Sequence, residues 1–304
     1  MKHLKHILGL GCLAGIMSLA SCEEIGPAIN FDNVDDSTYV APAPAAQIKN
    51  LLIEESTGVQ CPNCPKGAEA IDKAMTDYPG RVVAVAYHWP MPLVAPIDKE
   101  GHKSIYDFRP DESFGNNWVT YIGGMQGQPS ANFNRTRYGT INPLMILLNN
   151  WTNAIATETG NTATPVNVDI TPTFNDALKE LTVIARVTFN KDVDASKPLH
   201  FSLLITESGM VDVQETPVDF IEAFHFKHVF RTMLTPYNGV NINVPDRKAG
   251  RVWEVKYKFN DFRPAANMKY GWNPDSCHVV GFVHEDGSDF DSKKVLQVQE
   301  VHMK

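Results

Sequence analysis

The sequence predicts an α/β domain followed by an all-β domain of immunoglobulin-like sandwich type. Between residues 48 and 87 a strand, an amphipathic helix and a second strand follow one another, as in a βαβ unit. From Thr164 onward, apolar and polar residues alternate in short runs separated by turn residues, which is typical of antiparallel strands. We therefore expect the α/β domain at residues 47–160 and the sandwich domain at residues 161–304.

The N-terminus indicates export and lipid attachment. Residues 1–21 carry Lys2 and Lys5 before a short apolar segment, which is the pattern of a secretory signal peptide. The run LASC, which ends at Cys22, resembles a bacterial lipobox, in which the cysteine thiol receives lipid. We expect the mature chain to begin at Cys22 and to be held to a membrane by that lipid. A plain signal peptide with an incidental cysteine is the alternative.

Composition excludes some classes of partner. The 304-residue chain has 27 Lys and Arg against 35 Asp and Glu, a net charge of −8, which argues against nucleic acid. Beyond the signal peptide the sequence has no apolar stretch of about 18 or more residues, the length of a membrane-spanning helix. Residues 22–46 are polar and rich in Pro and Ala, without a helical or strand period, so we expect a flexible tether there.

The central elements of the first domain follow from local pattern. Residues 48–55 are a strand candidate, and residues 65–78 place their apolar side chains on one helical face. Pro79-Gly80 ends that helix. Residues 81–87 are apolar without alternation, as expected for a strand that is covered on both faces.

The remaining elements are placed in the same way. A long irregular segment over residues 89–124 contains a short helix around 114–121, and residues 130–137 form the next strand. Asn142-Pro143 opens a helix, and Gly160 ends the domain. In the second domain we predict strands over residues 166–170, 181–189, 200–206, 253–259, 277–284 and 295–301.

The motif that can carry chemistry is Cys61-x-x-Cys64. An exported protein meets oxidising conditions, so we expect this pair to form a disulfide. The motif lies between a strand and a helix, which is the context of a thioredoxin-like redox motif, and a helix N-terminus favours the thiolate. A zinc site would need two further ligands, and the sequence has no second C-x-x-C, so we expect neither metal nor cofactor. A purely structural disulfide is the other alternative. Cys277, in an apolar run, is expected to be buried.

Three further residues are candidates for the same site. In thioredoxin-like folds a cis-proline at the start of a strand packs against the C-x-x-C, and Pro129 lies at that place. A buried acid on the preceding strand can relay a proton to the inner thiol, and Glu55 has the expected spacing of six residues to Cys61. An ordinary loop proline and an acid that only ends its strand are the alternatives. His88 either lines the site or only turns the chain.

The motif departs from that of thioredoxin-like oxidoreductases in several positions. Gln60 stands where a Trp usually precedes the first cysteine, and the two residues between the cysteines are Pro-Asn. Pro65 disfavours α geometry at Cys64, so the helix can begin at Pro65 with Cys64 as its cap, and Cys64 would then feel most of the helix dipole. By analogy we still expect Cys61 to be the exposed attacking thiol and Cys64 the resolving thiol.

Three stretches resemble one family. They are LLIEESTGVQCPNCPKGAEAI (residues 51–71), FHFKHVFR (224–231) and GFVHEDGSDFDSKKVLQVQEV (281–301). In them the chain is similar to the outer-membrane protein 28 family of lipoproteins from Bacteroides-type bacteria. The resemblance implies a thioredoxin-like domain joined to a β-sandwich and an outer-membrane address on either the periplasmic face or the cell surface. The resemblance does not imply any particular chemical reaction.

Two functional hypotheses follow. The first is a membrane-tethered thiol–disulfide oxidoreductase that acts on exported proteins or small thiols, using Cys61, Cys64 and a docking edge at Pro129. The second is a non-catalytic binding or adhesion lipoprotein, in which the Cys61–Cys64 disulfide is structural and the sandwich contacts an extracellular partner. The aromatic insert at residues 89–121 fits either hypothesis, as a substrate lid or as a docking surface.

Overall fold

The structure is a computed structural model that describes residues 35–90, 92–140, 144–262 and 271–304. The predicted signal peptide, the lipid site at Cys22 and the first part of the expected tether therefore lie outside the described residues. In the part of the chain that is described, no helix is long and apolar enough to cross a bilayer.

The described residues of the first half of the chain form short strands and three helices. In chain order they are β1 (Asp35–Val40), β2 (Leu51–Ser56), α1 (Cys64–Asp77), β3 (Val82–Tyr87), β4 (Asp98–Lys99), β5 (His102–Lys103), α2 (Glu112–Tyr121), β6 (Ser130–Phe133), β7 (Ile146–Leu147) and α3 (Trp151–Gly160). The predicted strand–helix–strand unit is confirmed as β2, α1 and β3, and its two strands are parallel neighbours.

The second half consists of strands joined by turns. They are β8 (Val166–Asn175), β9 (Glu180–Phe189), β10 (Leu199–Glu207), β11 (Met210–Glu215), β12 (Phe220–Phe226), β13 (Val229–Met233), β14 (Val240–Asn241), β15 (Arg251–Phe259), β16 (Cys277–Glu285) and β17 (Val295–His302). Short 3-10 turns lie at Leu148–Asn150, Pro274–Ser276 and Phe290–Ser292. The structure as a whole is mostly β-sheet with few helices.

One nine-stranded sheet runs through both halves. Its order is β17-β16-β10-β13-β3-β2-β6-β7, with β14 beside β10. The two halves join where β13 lies parallel to β3, with Val229 opposite Ala86. A second sheet, β1-β15-β9-β8, shares a core with the β10 and β16 end of the large sheet. The expected boundary at residues 160/161 therefore does not separate two independent sheets, because β13, β10, β16 and β17 continue the sheet that contains β2 and β3.

The expectation of a flexible tether over residues 22–46 is wrong for its last part. Residues 35–40 form β1, which pairs antiparallel with β15 and places Thr38 opposite Trp253. All six β1 residues are exposed, so the strand is held by backbone hydrogen bonds to an otherwise open sheet edge and not by apolar burial. The indole Nε1 of Trp253 also donates to the Asp36 carboxylate at 2.9 Å.

The expected helix start at Asn142-Pro143 lies outside the described residues, but residues 144–147, which were expected to continue that helix, are not helical. Ile146 and Leu147 extend the sheet by pairing with β6. The helix begins only at Trp151. The Trp151 indole donates to the Ile146 carbonyl at 2.9 Å and anchors this turn in the core.

The strands β2 and β3 position the C-x-x-C motif. All residues of both strands are buried, as was predicted for β3, so both strands are covered on both faces. Ile71 and Ala74 of α1 pack on one face together with Trp151 of α3. Trp118 of α2 packs on the other face, with its ring stacked on Tyr87 at 4.1 Å between centroids. The turn that carries the cysteines therefore leaves the end of a rigid, fully buried strand pair.

Candidate functional site

The two motif cysteines are joined in a disulfide. The Sγ–Sγ distance is 2.08 Å. Cys61 closes a turn in which its N–H donates to the Gly58 carbonyl at 3.0 Å, and Cys64 is the first residue of α1. The helix thus begins one residue earlier than Pro65, with Asn63 at the cap position. Pro65 lies in the first turn, where its missing N–H leaves no intrahelical bond unmade.

Both cysteines are buried, so the expectation that Cys61 is exposed is wrong. Cys61 is 1% exposed and Cys64 is 3% exposed. The turn before Cys61 is tied to the insert, because the Gln60 amide N–H donates to the Leu93 carbonyl at 2.9 Å. Gly58 lies directly against the same carbonyl, where a Cβ would collide with it. Close packing of this turn is therefore what removes Cys61 from solvent.

A hairpin from the second half of the chain completes the cover. Gln214 of β11 donates its amide to the Cys61 carbonyl at 3.1 Å, and the Glu215 backbone N–H donates to the Val59 carbonyl at 2.9 Å. The Asp212 carboxylate accepts the backbone N–H groups of Ile105 and Tyr106 at 2.8–2.9 Å, which joins the hairpin to the insert. The β11–β12 hairpin and the insert thus form one cover over the motif.

A cavity of about 300 Å³ remains between α1 and β12. Its walls include Cys64, Glu55 and His88 from the βαβ side and Phe224 and Phe226 from β12. Cys61 does not line it. The cavity therefore approaches the disulfide from the Cys64 side.

Glu55 is a buried, unpaired acid in this cavity. It is 3% exposed, and its Oε1 has no hydrogen-bond partner. Burial raises the pKa of Glu55 to about 8. On α1, Gly67 faces this carboxyl, since a Cβ at Gly67 would lie 2.6 Å from Oε1 and 3.1 Å from the Pro129 Cβ. Glu55 and Pro129 are thus both close to the first turns of the helix that carries Cys64.

His88 is a second buried polar group in the same cavity. It is 1% exposed, and neither ring nitrogen makes a hydrogen bond of normal geometry. Burial, with the positive charge of Arg231 nearby, lowers the pKa of His88 to about 3, so the ring is neutral at physiological pH. Its ring packs against Phe108 and Phe226, with centroid distances of 4.9 and 5.8 Å. Of the two possibilities for His88, the structure supports the one in which it lines the site.

The structure brings together all four site residues predicted inside the described range. Cys61 and Cys64 are bonded, Glu55 lines the cavity with Cys64, and Pro129 lies against Gly67 behind them. The Gln128–Pro129 peptide bond is cis. Among the described residues, no group of three or more His, Cys, Asp or Glu is placed to hold a metal ion.

The cover was not predicted. Gln214 and Asp212 lie about 150 residues from the motif in sequence, and nothing in their local pattern marks them as partners of the C-x-x-C turn. No strand was predicted for the segment that forms β11 and β12, and in the structure these two strands pair with each other and with no strand of either large sheet.

The buried Glu55 carboxyl makes stability depend on pH. Its pKa is about 8 in the folded chain against an ordinary 4.5, so between these values the folded state holds a proton that the unfolded state releases. Stability is therefore lost as the pH rises through this window. We expect Glu55→Gln to remove the loss and to be more stable than wild type at about pH 8, by on the order of 3 kcal/mol, with little difference near pH 4.

Urea unfolding of the oxidised protein at both pH values measures this difference. Glu69→Gln is the matched control, because Glu69 lies on the exposed side of α1, and its difference from wild type should not change with pH. A Glu55→Gln difference that is the same at both pH values would contradict a neutral, buried Glu55.

Comparison with known proteins gives a family and a fold. A family model described as "Outer membrane protein Omp28" matches residues 116–304, more than half of the chain. The match begins inside α2, so the C-x-x-C motif lies outside it. No curated protein matches the sequence.

Two solved structures are similar. HBP35 of Porphyromonas gingivalis is 18% identical with a TM-score of 0.64, over 86% of this chain and 77% of that one. An X-ray structure of a protein from Agrobacterium tumefaciens is 13% identical with a TM-score of 0.45, over 86% of this chain and 97% of that one. The likeness to HBP35 shows that the two chains share a fold.

Proposed function

Because the chain belongs to the Omp28 family of outer membrane proteins, we propose that it is a lipid-anchored protein of the outer membrane that exchanges disulfides at Cys61–Cys64. The observation that carries the proposal is a disulfide at the first residue of α1, beside a cavity that also holds an unpaired acid. The strand–C-x-x-C–helix arrangement, with Pro129 packed behind it, supports the proposal, because a thioredoxin-like site is expected to have this arrangement.

The chemistry is a two-step exchange. A substrate thiol gives its proton to the ionised form of Glu55, whose fraction grows as the pH approaches about 8, and its sulfur attacks one sulfur of the disulfide. The Cys61–Cys64 bond breaks as the mixed disulfide forms, and the leaving thiolate takes up a proton. A second thiol then attacks the substrate sulfur, releasing oxidised substrate and leaving both cysteines reduced. At Cys64 the N-terminus of α1 stabilises a thiolate through the helix dipole.

The anchor is proposed from the sequence and the family together. The run LASC ending at Cys22 resembles a lipobox, and the family is one of outer membrane proteins. Lipid on Cys22 would hold the chain at the membrane, and residues 23–34 would separate it from β1.

A structural disulfide is the second candidate, and one observation favours it. Cys61 and Cys64 are almost completely buried, and the cover over them makes several hydrogen bonds to the turn. On this alternative the protein is a surface binding protein whose disulfide only holds the turn together.

The reduction potential of the pair, with turnover of a disulfide substrate such as insulin, distinguishes the two. Exchange predicts a potential above about −300 mV, native-state reduction without unfolding, and complete loss of turnover in Cys64→Ser. Cys277→Ser is the control: that thiol is fully buried, burial raises its pKa well above the ordinary value, and turnover should not change. A potential below about −300 mV with no turnover would establish the structural role.

A further inference from the structure

We propose that the cavity between α1 and β12 is the binding site for an uncharged low-molecular-weight thiol, and that this thiol attacks Sγ of Cys64. The inference rests on the proposed exchange function and specifies its substrate class. Three properties of the site lead to it: the face that is blocked, the size of the cavity and the groups inside it.

The face that a protein substrate would need is already occupied. Backbone and side-chain groups of β11 are hydrogen-bonded to the C-x-x-C turn, at the carbonyls of Val59 and Cys61. A peptide could reach Cys61 only by displacing both the Gln214 and the Glu215 bonds. The cavity, in contrast, reaches Cys64 with the cover in place. Of the two cysteines, the one that borders the cavity is therefore the one in the helix.

The cavity has the size for a small molecule. Its volume of about 300 Å³ is at the lower end of the range for ligand sites and corresponds to roughly ten water molecules. A folded protein loop does not fit this space, whereas a thiol of a few carbon atoms does. At the cavity wall Lys227, the residue after β12, forms an ion pair with Asp72 of α1 at 2.8 Å. Both side chains are about half exposed, so solvent screens this pair and a small molecule can enter past it.

The groups inside the cavity favour an uncharged thiol. Ile71, Ala84, Phe224 and Phe226 give apolar walls. Two of the buried polar groups that line the cavity, Glu55 and His88, are mainly neutral near pH 7 and lack a hydrogen-bond partner at the atoms noted above. A thiol with one neutral polar group satisfies them without bringing a charge into an apolar space.

The reaction is balanced with two thiol molecules. In the fraction of molecules whose Glu55 is ionised, the first thiol gives its proton to Glu55 and forms a bond to the Cys64 sulfur, while the Cys61–Cys64 bond breaks and the Cys61 thiolate takes the proton. The second attacks the sulfur of the bound molecule and releases Cys64 as a thiol. The two small thiols leave as one disulfide, and the protein gains the two electrons.

The test compares 2-mercaptoethanol with a reduced thioredoxin as reductants of the Cys61–Cys64 bond in the purified protein. Rates are divided by those of the same reductants with a freely exposed disulfide. We expect the normalised rate with 2-mercaptoethanol to exceed that with the protein dithiol by about tenfold or more. If the protein dithiol is as fast, the small-thiol proposal is wrong and the exchange function stands. If neither reduces the folded protein, the exchange function itself fails.

Two matched hairpin variants locate the binding site. Ala223 lines the cavity, whereas Val218 at the hairpin tip is 93% exposed. We expect Ala223→Phe to slow reduction by 2-mercaptoethanol about tenfold and Val218→Phe to leave it within about twofold. Equal rates in the two variants would overturn the site. Far-UV circular dichroism checks that both fold, and Ala68→Phe, which fills the cavity from α1, is the second variant if Ala223→Phe does not.

Single-cysteine variants identify the attacked sulfur without any turnover. In Cys61→Ser only Cys64 remains at the motif, and in Cys64→Ser only Cys61 remains. We expect 2-hydroxyethyl disulfide to form a mixed disulfide at Cys64 about tenfold faster than at Cys61. Faster modification of Cys61 would contradict attack from the cavity and restore the assignment expected by analogy.

Discussion

Replacing Arg135 with Met lowers the free energy of unfolding by about 3–5 kcal/mol. The guanidinium of Arg135 is 1% exposed and its partner carboxylate, Glu54, is fully buried. The two make a bidentate pair, with Nε to Oε2 at 2.8 Å and Nη2 to Oε1 at 2.9 Å. Met fills a similar volume but leaves the carboxylate without its counter-charge, and it is this uncompensated buried charge that is costly.

Urea unfolding measures the loss, and two controls separate its causes. Lys73→Met breaks an exposed pair with Asp77, whose side chains are 74% and 46% exposed, and should change stability by no more than about 0.5 kcal/mol. Combining Arg135→Met with Glu54→Gln removes both charges and should recover part of the loss. A loss below about 1 kcal/mol in Arg135→Met would mean that removing Arg135 does not leave Glu54 as an uncompensated buried charge.

Two adjacent glutamates of β2 have pKa values that are shifted in opposite directions. Side chains alternate along β2, so Glu54 faces the α2 side and Glu55 the α1 side. Burial alone would raise the pKa of Glu54, but the charge and hydrogen bonds of Arg135 lower it below the ordinary value. Glu55 has burial without a cation, and its pKa rises. Glu54 is therefore a structural anion, whereas Glu55 in its ionised form is available as a base.

The sequence was sufficient where local pattern decides structure. The apolar runs of β2 and β3, the single apolar face of α1 and the stop at Pro79-Gly80 are all local, and they place Cys61 and Cys64 at a strand–helix turn. The prediction that the pair forms a disulfide is confirmed. Glu55 was found by its spacing, although the same spacing left open whether it is buried or ends an edge strand.

The parts that could not be predicted depend on contacts between distant segments. The pairing of Val229 with Ala86 joins the two halves into one sheet, and no pattern near either residue specifies the other. The β1 strand has no buried face, so it lacks the periodicity by which strands are recognised. The burial of Cys61 follows from Gln214, in a segment for which no strand was predicted, and from Leu93, in the segment that was predicted to be irregular.

Replacing Glu55 with Gln slows reduction of the Cys61–Cys64 bond by 2-mercaptoethanol about 100-fold or more near pH 7. Glu55 lines the same cavity as Cys64, and it is the only carboxyl there that is both buried and unpaired among the described residues. Gln has nearly the same shape but cannot accept the thiol proton. The loss is not one of folding, because the same substitution is expected to make the protein more stable at neutral and higher pH.

The pH profile distinguishes proton transfer from a packing effect. Dividing each rate by that of the same thiol with an exposed disulfide removes the ionisation of the thiol itself. The wild-type ratio should then rise through about pH 8, where Glu55 becomes ionised, and the Glu55→Gln ratio should be flat. Glu69→Gln, at the exposed edge of the same cavity, should keep the wild-type profile. A Glu55→Gln protein that is slow but retains the rise would show that Glu55 only shapes the cavity, since a group that has been removed cannot titrate.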